Sequence, residues 1–187
     1  KNHPAILMWS FGNETNYNYT PGDAGWNWWY GVLNSAAAWS KANDPNHPTT
    51  TANGGVPTAE ALALAPNIDV WGINIYTTAN YFGPKIGEYS ALSTKPMYFS
   101  EYGVDAYNHN INAVDQQGQS DAIMHIWDNL MYSYNNNQVA SGGCVFAWVD
   151  EWWKAGNYSV QNTGGTAPGS FMLDGISDEE YYGIVDI

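Results

Sequence analysis

Two glutamates, Glu14 and Glu101, are the residues whose type and placement best suit acid-base or nucleophilic chemistry. Each follows an apolar run of strand character, in WSFGNE and in MYFSEYG. Cleavage of a glycosidic bond needs two carboxylates in one cleft, because one must donate a proton to the departing oxygen while the other meets the oxocarbenium-like centre. Strand-end carboxylates also cap loops or accept backbone hydrogen bonds, so the spacing alone leaves both interpretations open.

The elements that must position these residues alternate between strand and helix patterns. Short apolar or β-branched runs bounded by Gly, Pro, Asn or Asp predict five strands, at Ala5–Ser10, Thr49–Ala52, Asp69–Tyr76, Pro96–Ser100 and Gly143–Trp148. Helical spacing predicts helices between them, at about Trp26–Ala42, Thr58–Leu64, Gly87–Leu92 and Gln117–Tyr134. Apolar strands separated by helices indicate a parallel sheet covered on both faces, so the predicted class is α/β.

Polar and aromatic residues gather where these predicted strands end. In parallel α/β folds the chemistry lies at the carboxyl ends of the strands, where the following loops are free to vary. The residues at these ends are Asn13, Glu14, Asn74, Tyr76, Glu101, Trp148, Asp150 and Glu151. We therefore expect a candidate site along this edge of the sheet.

Charge and composition exclude several classes of partner. Five Lys+Arg against 18 Asp+Glu give a formal net charge of −13, which argues against binding to a nucleic acid backbone. No apolar run approaches the roughly 20 residues that span a bilayer, so no membrane span is predicted. The single cysteine, Cys144, lies in the apolar run GGCVFAW and is expected to be a packed thiol.

Aromatic residues are abundant, with 10 Trp and 14 Tyr in the chain. Core packing accounts for some of them. Stacking on the C–H faces of sugar rings is the functional alternative, because those faces suit the negative face of an aromatic ring. Clusters such as WNWWY and EWW contain too many adjacent aromatics for all of them to face inward on one element, so both interpretations stay open.

Four motifs in order carry a resemblance to a known family. The strings KNHPAILMWSFGNE, DVWGINIY, KPMYFSEYGVDAYN and GCVFAWVDEWWKAG resemble the barrel domain of glycoside hydrolase family 2 and its relatives in clan A. The chain is similar to the second half of that (β/α)8 barrel, from strand four to strand eight, over essentially its whole length. The resemblance thus implies a partial TIM (β/α)8 barrel of five parallel strands with intervening helices.

The resemblance also implies a role for each matching residue. Asn13 would hold the 2-hydroxyl of the sugar, Glu14 would be the acid/base and Glu101 the nucleophile. Tyr76 would hydrogen-bond the nucleophile, and Trp148 would form the floor of the subsite. The implied mechanism is retaining, with carboxyl groups about 5 to 5.5 Å apart and a covalent glycosyl-enzyme intermediate. It requires no metal and no other cofactor.

Other strand-end residues are predicted with less specific roles. Asn74, Asp150 and Glu151 are expected to bind substrate, although a charged pair in a loop is also commonly just solvated. Tyr102, Asp105 and Asn108 follow the proposed nucleophile and are candidates to line a subsite, with a structural role as the alternative.

The first three strands of the barrel and their helices have no counterpart in the chain. We therefore expect residues 1–187 to be the C-terminal portion of a single barrel and a fragment of a longer chain, with the N-terminal half-barrel supplied by the same or another chain. The expected substrate is an oligosaccharide or polysaccharide, and the expected location is extracellular or at the cell surface. The alternative function is a non-catalytic carbohydrate-binding or surface structural protein built on a barrel fragment.

Overall fold

The structure is a computed structural model that describes residues 1–77, 82–164 and 174–185. The strands within these ranges are β1 Trp9–Asn13, β2 Thr49–Gly54, β3 Val70–Asn74, β4 Met97–Tyr102, β5 Tyr107–Asn108, β6 Ala113–Val114 and β7 Ala140–Val145. Five parallel strands form the main sheet in the order β1-β2-β3-β4-β7. This order arises when each strand is followed by a connection that returns the chain to the starting end of the sheet. The predicted α/β class is confirmed.

Four helices connect the strands: α1 Ala24–Asn43, α2 Ala59–Leu64, α3 Phe82–Ser90 and α4 Gln116–Asn135. The carboxylate of Asp23 caps α1 by accepting from the backbone N–H of Trp26 at 2.6 Å. Helix α3 begins five residues before the predicted start at Gly87, because Pro84 lies in its first turn, where a missing N–H costs no hydrogen bond. None of the helices in the described ranges is long and apolar enough to cross a membrane.

The chain divides into two compact units, each built from three segments. Unit 1 consists of Lys1–Ile75, Lys85–Ser100 and Ser133–Gly142, and unit 2 consists of Tyr76–Pro84, Glu101–Tyr132 and Gly143–Ile187. In unit 1, α1 buries residues that recur every three or four positions, namely Trp26, Tyr30, Leu33, Ala37 and Ser40. In unit 2 the buried apolar residues include Phe82, Tyr102, Val104, Ile126, Leu130 and Tyr182.

The first strand starts later than predicted and runs further. The prediction of Ala5–Ser10 is wrong at both ends, since β1 covers Trp9–Asn13. Its ladder begins where the backbone N–H of Trp9 donates to the carbonyl of Pro48 at 2.9 Å, immediately before β2. The apolar residues before Trp9 therefore have no strand beside them, and the side chain of Leu7 is 74% exposed.

The last strand and the segment before α4 also differ from the prediction. β7 covers Ala140–Val145 rather than Gly143–Trp148, because its pairing follows β4: the N–H of Met97 donates to the carbonyl of Val139 at 2.8 Å. Cys144 on this strand is exposed, so the packed thiol was a wrong prediction. The segment between β4 and α4, for which the sequence predicts no strand, contains a short antiparallel hairpin, β5 with β6.

Candidate active site

The chain turns sharply where β1 ends, and this turn presents Glu14. Gly12 has φ +74°, and a Cβ at this position would lie 2.5 Å from the ring of Trp29, so only glycine fits. Glu14 itself has φ 52°, a left-handed conformation that is uncommon for a residue other than glycine. Such backbone strain persists only where surrounding contacts enforce it.

The contacts that enforce this turn come from the end of β2. The backbone N–H of Glu14 donates to the carbonyl of Ala52 at 2.8 Å. The buried side-chain amide of Asn16 pairs with Gly54 in both directions, donating at 2.9 Å and accepting at 2.8 Å. Glu14 precedes a short 3-10 helix, Thr15–Asn18, but its side chain makes no capping hydrogen bond. The carboxylate of Glu14 is therefore not a helix cap.

Asn74 at the end of β3 connects the polar residues of unit 1. Its side-chain amide donates one hydrogen bond to Asn13 Oδ1 at 3.0 Å and another to Glu14 Oε1 at 3.1 Å. The hydroxyl of Ser100 donates to Asn74 Oδ1 at 2.6 Å, which fixes the orientation of the amide. Asn74 is only 2% exposed. Because both amide hydrogens are engaged, Asn74 holds Asn13 and Glu14 in fixed positions.

A second polar cluster lies in unit 2, around Glu101 of β4. The hydroxyl of Tyr76 donates to Glu101 Oε2 at 2.7 Å, an ordinary length for an O–H···O hydrogen bond. The ring of Tyr76 meets the rings of Phe146 and Tyr182 edge to face, with centroids 6.1 Å and 5.7 Å away. The phenol that donates to Glu101 therefore belongs to a ring that packs against two other aromatic rings.

The residues after β7 have different environments. Trp148 is 68% exposed, so its ring faces are accessible to a ligand. Both carboxylate oxygens of Asp150 already accept hydrogen bonds, from the backbone of Gly183 at 2.8 Å and from the side chain of Gln161 at 2.7 Å. A sugar hydroxyl would have to share Asp150 with these donors.

Two acidic residues of unit 2 make contacts that hold segments of the chain in place. Glu151 forms an ion pair with Lys154 at 3.2 Å. Glu180 is 2% exposed, and its two oxygens accept from the backbone amides of Ala155 at 2.7 Å and Asn162 at 2.5 Å. Glu180 therefore anchors the loop that follows β7.

Tyr102 and Asp105 do not line a surface. Tyr102 is 1% and Asp105 0% exposed, so the packing interpretation is the correct one for both. The pKa of Asp105 is raised to about 7, chiefly by burial and also by the nearby carboxylates of Asp178 and Asp174, while the Asp178 backbone amide and His109 act in the opposite direction. Within the described ranges, no group of three or more His, Cys, Asp or Glu could hold a metal ion.

The structure thus groups Asn13, Glu14 and Asn74 in unit 1, and Tyr76 and Glu101 in unit 2. Sequence reasoning missed the supports of both clusters, Ser100 and Asn16 in unit 1 and Tyr182 in unit 2. Ser100 carried a weak signal, because it directly precedes Glu101 at the strand end. Asn16 and Tyr182 carried none, since their partners are far away in the sequence.

Comparison with known proteins gives a family and a fold. The model of the family described as Glycosyl hydrolases family 2, TIM barrel domain, matches residues 1–166. A β-galactosidase of Vibrio vulnificus strain YJ016 is 38% identical over 153 residues, which are 81% of this chain and 12% of that protein. A β-galactosidase of Vibrio vulnificus strain CMCP6 is 27% identical over 155 residues, with the same coverage. The chain therefore spans 12% of the length of these curated relatives.

Solved structures agree on the fold. A β-glucuronidase of Bacteroides uniformis has a TM-score of 0.67 at 20% identity, covering 99% of this chain and 22% of that chain. A β-glucuronidase of Dictyoglomus thermophilum has a TM-score of 0.65 at 18% identity, covering 99% of this chain and 29% of that chain. With the family match, these similarities confirm the predicted partial TIM barrel.

Proposed function

Because the chain belongs to the TIM barrel domain of glycosyl hydrolases family 2, we propose that it carries the two catalytic carboxylates of a retaining β-glycoside hydrolase. Glu101 is the nucleophile and Glu14 the acid/base. The observation that carries the proposal is the 2.7 Å hydrogen bond from Tyr76 to Glu101. It orients one carboxylate oxygen and leaves the other available to attack.

In the first step, the free oxygen of Glu101 attacks the anomeric carbon of the sugar. The bond from that carbon to the leaving oxygen breaks, and the carboxyl group of Glu14 gives its proton to this oxygen. The product is a sugar bound to Glu101 through an ester, with Glu14 left as a carboxylate. The phenol of Tyr76 keeps Glu101 in line for the attack.

In the second step, the Glu14 carboxylate removes a proton from a water molecule. The water oxygen bonds to the anomeric carbon while the ester bond to Glu101 breaks, which restores both glutamates. Asn74 supports this exchange because its amide donates to Glu14 Oε1 and leaves Oε2 to handle the proton. The chemistry uses only two carboxylates and water.

Sugar binding is assigned to residues beside these glutamates. Asn13 holds the 2-hydroxyl, since the amide of Asn74 occupies its Oδ1 and leaves its own amide hydrogens to donate. The exposed ring of Trp148 offers a face on which a sugar can stack. Asn74, Asp150 and Glu151 remain predicted substrate contacts. Of the three, Asn74 and Asp150 have their hydrogen-bonding groups most fully engaged by protein partners.

The remaining assignments concern the rest of the protein. We propose that this chain is one part of a longer (β/α)8 glycosidase barrel, since it spans 12% of its curated relatives and 22% of a solved relative. The substrate is an oligosaccharide or polysaccharide, and the other half-barrel comes from the same or another chain. The acidic composition supports an extracellular or cell-surface location.

Covalent labelling tests the proposal. The longest natural form of the protein is incubated with a panel of 2-deoxy-2-fluoro glycosides, and adducts are mapped by peptide mass spectrometry. Such a sugar forms the ester to the nucleophile but releases it slowly, because the fluorine destabilises the oxocarbenium-like transition state. We expect an adduct on Glu101 that is absent in Glu101→Gln and retained in Glu88→Gln, a control on the exposed surface of α3.

Reagents that carry an epoxide need one further control. The exposed thiol of Cys144 is a competing nucleophile, so those reagents are used with a Cys144→Ser variant. A protein that binds glycans yet is never labelled on Glu101 by any member of the panel would refute the hydrolase assignment. It would favour the non-catalytic alternative, with the exposed Trp148, Trp152 and Trp153 as a binding surface.

A further inference from the structure

Residues 174–185, which we call the strap, follow the part of the chain that the family model matches. Backbone hydrogen bonds attach the strap to two segments of unit 2. The N–H of Ala106 donates to the carbonyl of Tyr181 at 2.8 Å, and the N–H of Ala147 donates to the carbonyl of Tyr182 at 3.0 Å. The strap is therefore joined both to the segment after β4 and to the segment after β7.

Side chains fasten the strap at further points. The buried amide nitrogen of Gln119 lies within hydrogen-bond distance of three carbonyl oxygens, that of Val104 at 2.9 Å and, in the strap, those of Gly183 at 3.2 Å and Tyr181 at 3.3 Å. The ring of His109 contacts the carboxylate of Asp178 at 2.7 Å, and this carboxylate is fully buried. These contacts fix the backbone of the strap on both sides of Tyr182.

Tyr182 is the residue that this backbone presents to the Glu101 cluster. It is 3% exposed, and its hydroxyl lies 3.1 Å from that of Ser177 within the strap. Its ring stands edge to face with the ring of Tyr76, with the ring centroids 5.7 Å apart and the ring planes at 87° to each other. The distance between the ring centroids of Tyr182 and Phe146 is 5.9 Å. The backbone of Gly103 lies close to the Tyr182 ring, since a Cβ at this glycine would be only 2.9 Å from it.

We propose that Tyr182 is a positioning residue, which holds the ring of Tyr76 so that its phenol meets Glu101. The proposal rests on the assignment of Glu101 as nucleophile. A phenol on one side chain can tilt by about an ångström with little backbone change, and displacements of that size are costly in a catalytic arrangement. Edge-to-face contacts with Tyr182 and Phe146, whose ring centroids lie 5.9 Å from each other, restrict this tilt.

Kinetics of labelling by a 2-deoxy-2-fluoro glycoside test the role. Tyr182→Leu should lower the maximal rate of adduct formation on Glu101 by about tenfold, the range expected when a charged hydrogen bond is misaligned. The half-saturating reagent concentration should stay within about twofold, since Tyr182 is buried and is not expected to contact the sugar. Tyr182→Phe keeps the ring and loses only the hydroxyl, so it should keep the wild-type rate within about twofold.

A double-mutant cycle separates positioning from general damage. In a Tyr76→Phe background the hydrogen bond to Glu101 is already gone, so Tyr182→Leu should have no further effect on the rate. Equal losses in both backgrounds, or an unchanged rate in Tyr182→Leu, would overturn the proposal. If thermal unfolding shows that Tyr182→Leu does not fold, Tyr182→Met takes its place. The labelling rates of Tyr182→Met in the wild-type and Tyr76→Phe backgrounds then test the proposal in the same way. A wild-type protein that is never labelled on Glu101 would instead refute the proposed function, and this inference with it.

Discussion

Replacement of the buried Asp105 by asparagine should change how stability depends on pH. Asp105 is 0% exposed, and its Oδ2 accepts from the backbone N–H of Asp178 at 3.1 Å. Its Oδ1 has no hydrogen-bond partner in the part of the chain that the structure describes. Burial is the largest cause that raises the pKa of Asp105 from 3.8 to about 7, with Asp178 and Asp174 adding to it and His109 opposing it.

The size and sign of the effect follow from these two pKa values. Between about pH 4 and pH 7 the folded protein holds a proton that the unfolded chain has lost. Stability from this proton is fully present below about pH 4 and is lost as the pH rises through about 7. The whole loss is roughly 4 kcal/mol at about 1.4 kcal/mol per pH unit, and roughly 2.5 kcal/mol of it falls between about pH 5 and pH 8.

Asparagine has no proton to lose in this pH range, so the stability of Asp105→Asn should not fall as the pH rises through about 7. The free energy of unfolding of the variant, relative to wild type, should rise by roughly 2.5 kcal/mol from about pH 5 to about pH 8. Denaturant unfolding at several pH values measures it, with Asp128→Asn, an exposed aspartate of α4, as the control for removal of one charge. A difference between variant and wild type that stays constant with pH would show that the Asp105 carboxyl is not the titrating group.

Two further predictions concern close packing and the proposed acid/base, Glu14. Gly72→Ala should destabilise the protein by about 1 to 3 kcal/mol, because the new Cβ would lie 2.3 Å from the backbone oxygen of Thr51. Gly31→Ala is the matched control in α1, where a new Cβ would have nothing within 4 Å, and it should stabilise the protein by about 0.5 to 1 kcal/mol. Thermal unfolding of both variants and of the wild type measures these changes. Asn74→Asp should lower the hydrolysis rate by about a hundredfold, because it replaces the donor to Glu14 with a second negative charge. Aryl glycosides with poor leaving groups should lose more than activated ones, and equal losses would contradict an effect through the acid/base.

The strand ends were predictable from the sequence because their pattern is local. Apolar runs followed by polar residues predicted the positions of Asn13, Glu14 and Glu101, and the alternation of elements predicted the parallel sheet. The roles of these residues came from the resemblance and stay predictions. Strand boundaries were less predictable, since β1 begins only where β2 lies beside it, at Trp9.

Supports that depend on distant partners could not be predicted. The aromatic run before Gly31 is apolar on several faces, so helical spacing alone does not distinguish the buried Leu33 from Val32, which is 42% exposed. Asn16 pairs with a glycine 38 residues away. Contacts of this kind leave no periodic signal, because each depends on how two elements approach each other in the folded chain.

The position of the strap has a consequence for synthesis of the protein. Unit 2 takes its segments from three places, and the last of them contains Tyr182. Ribosomes add about 5 to 20 residues per second, so Tyr182 emerges roughly 5 to 20 seconds after Tyr76. During that interval the nascent chain already contains both glutamates, but it does not yet contain Tyr182, whose ring packs against Tyr76. An interrupted translation product that ends before the strap would therefore contain the two proposed catalytic carboxylates without the support that aligns the Glu101 cluster, and we expect it to be labelled on Glu101 at least about tenfold more slowly than the longer chain.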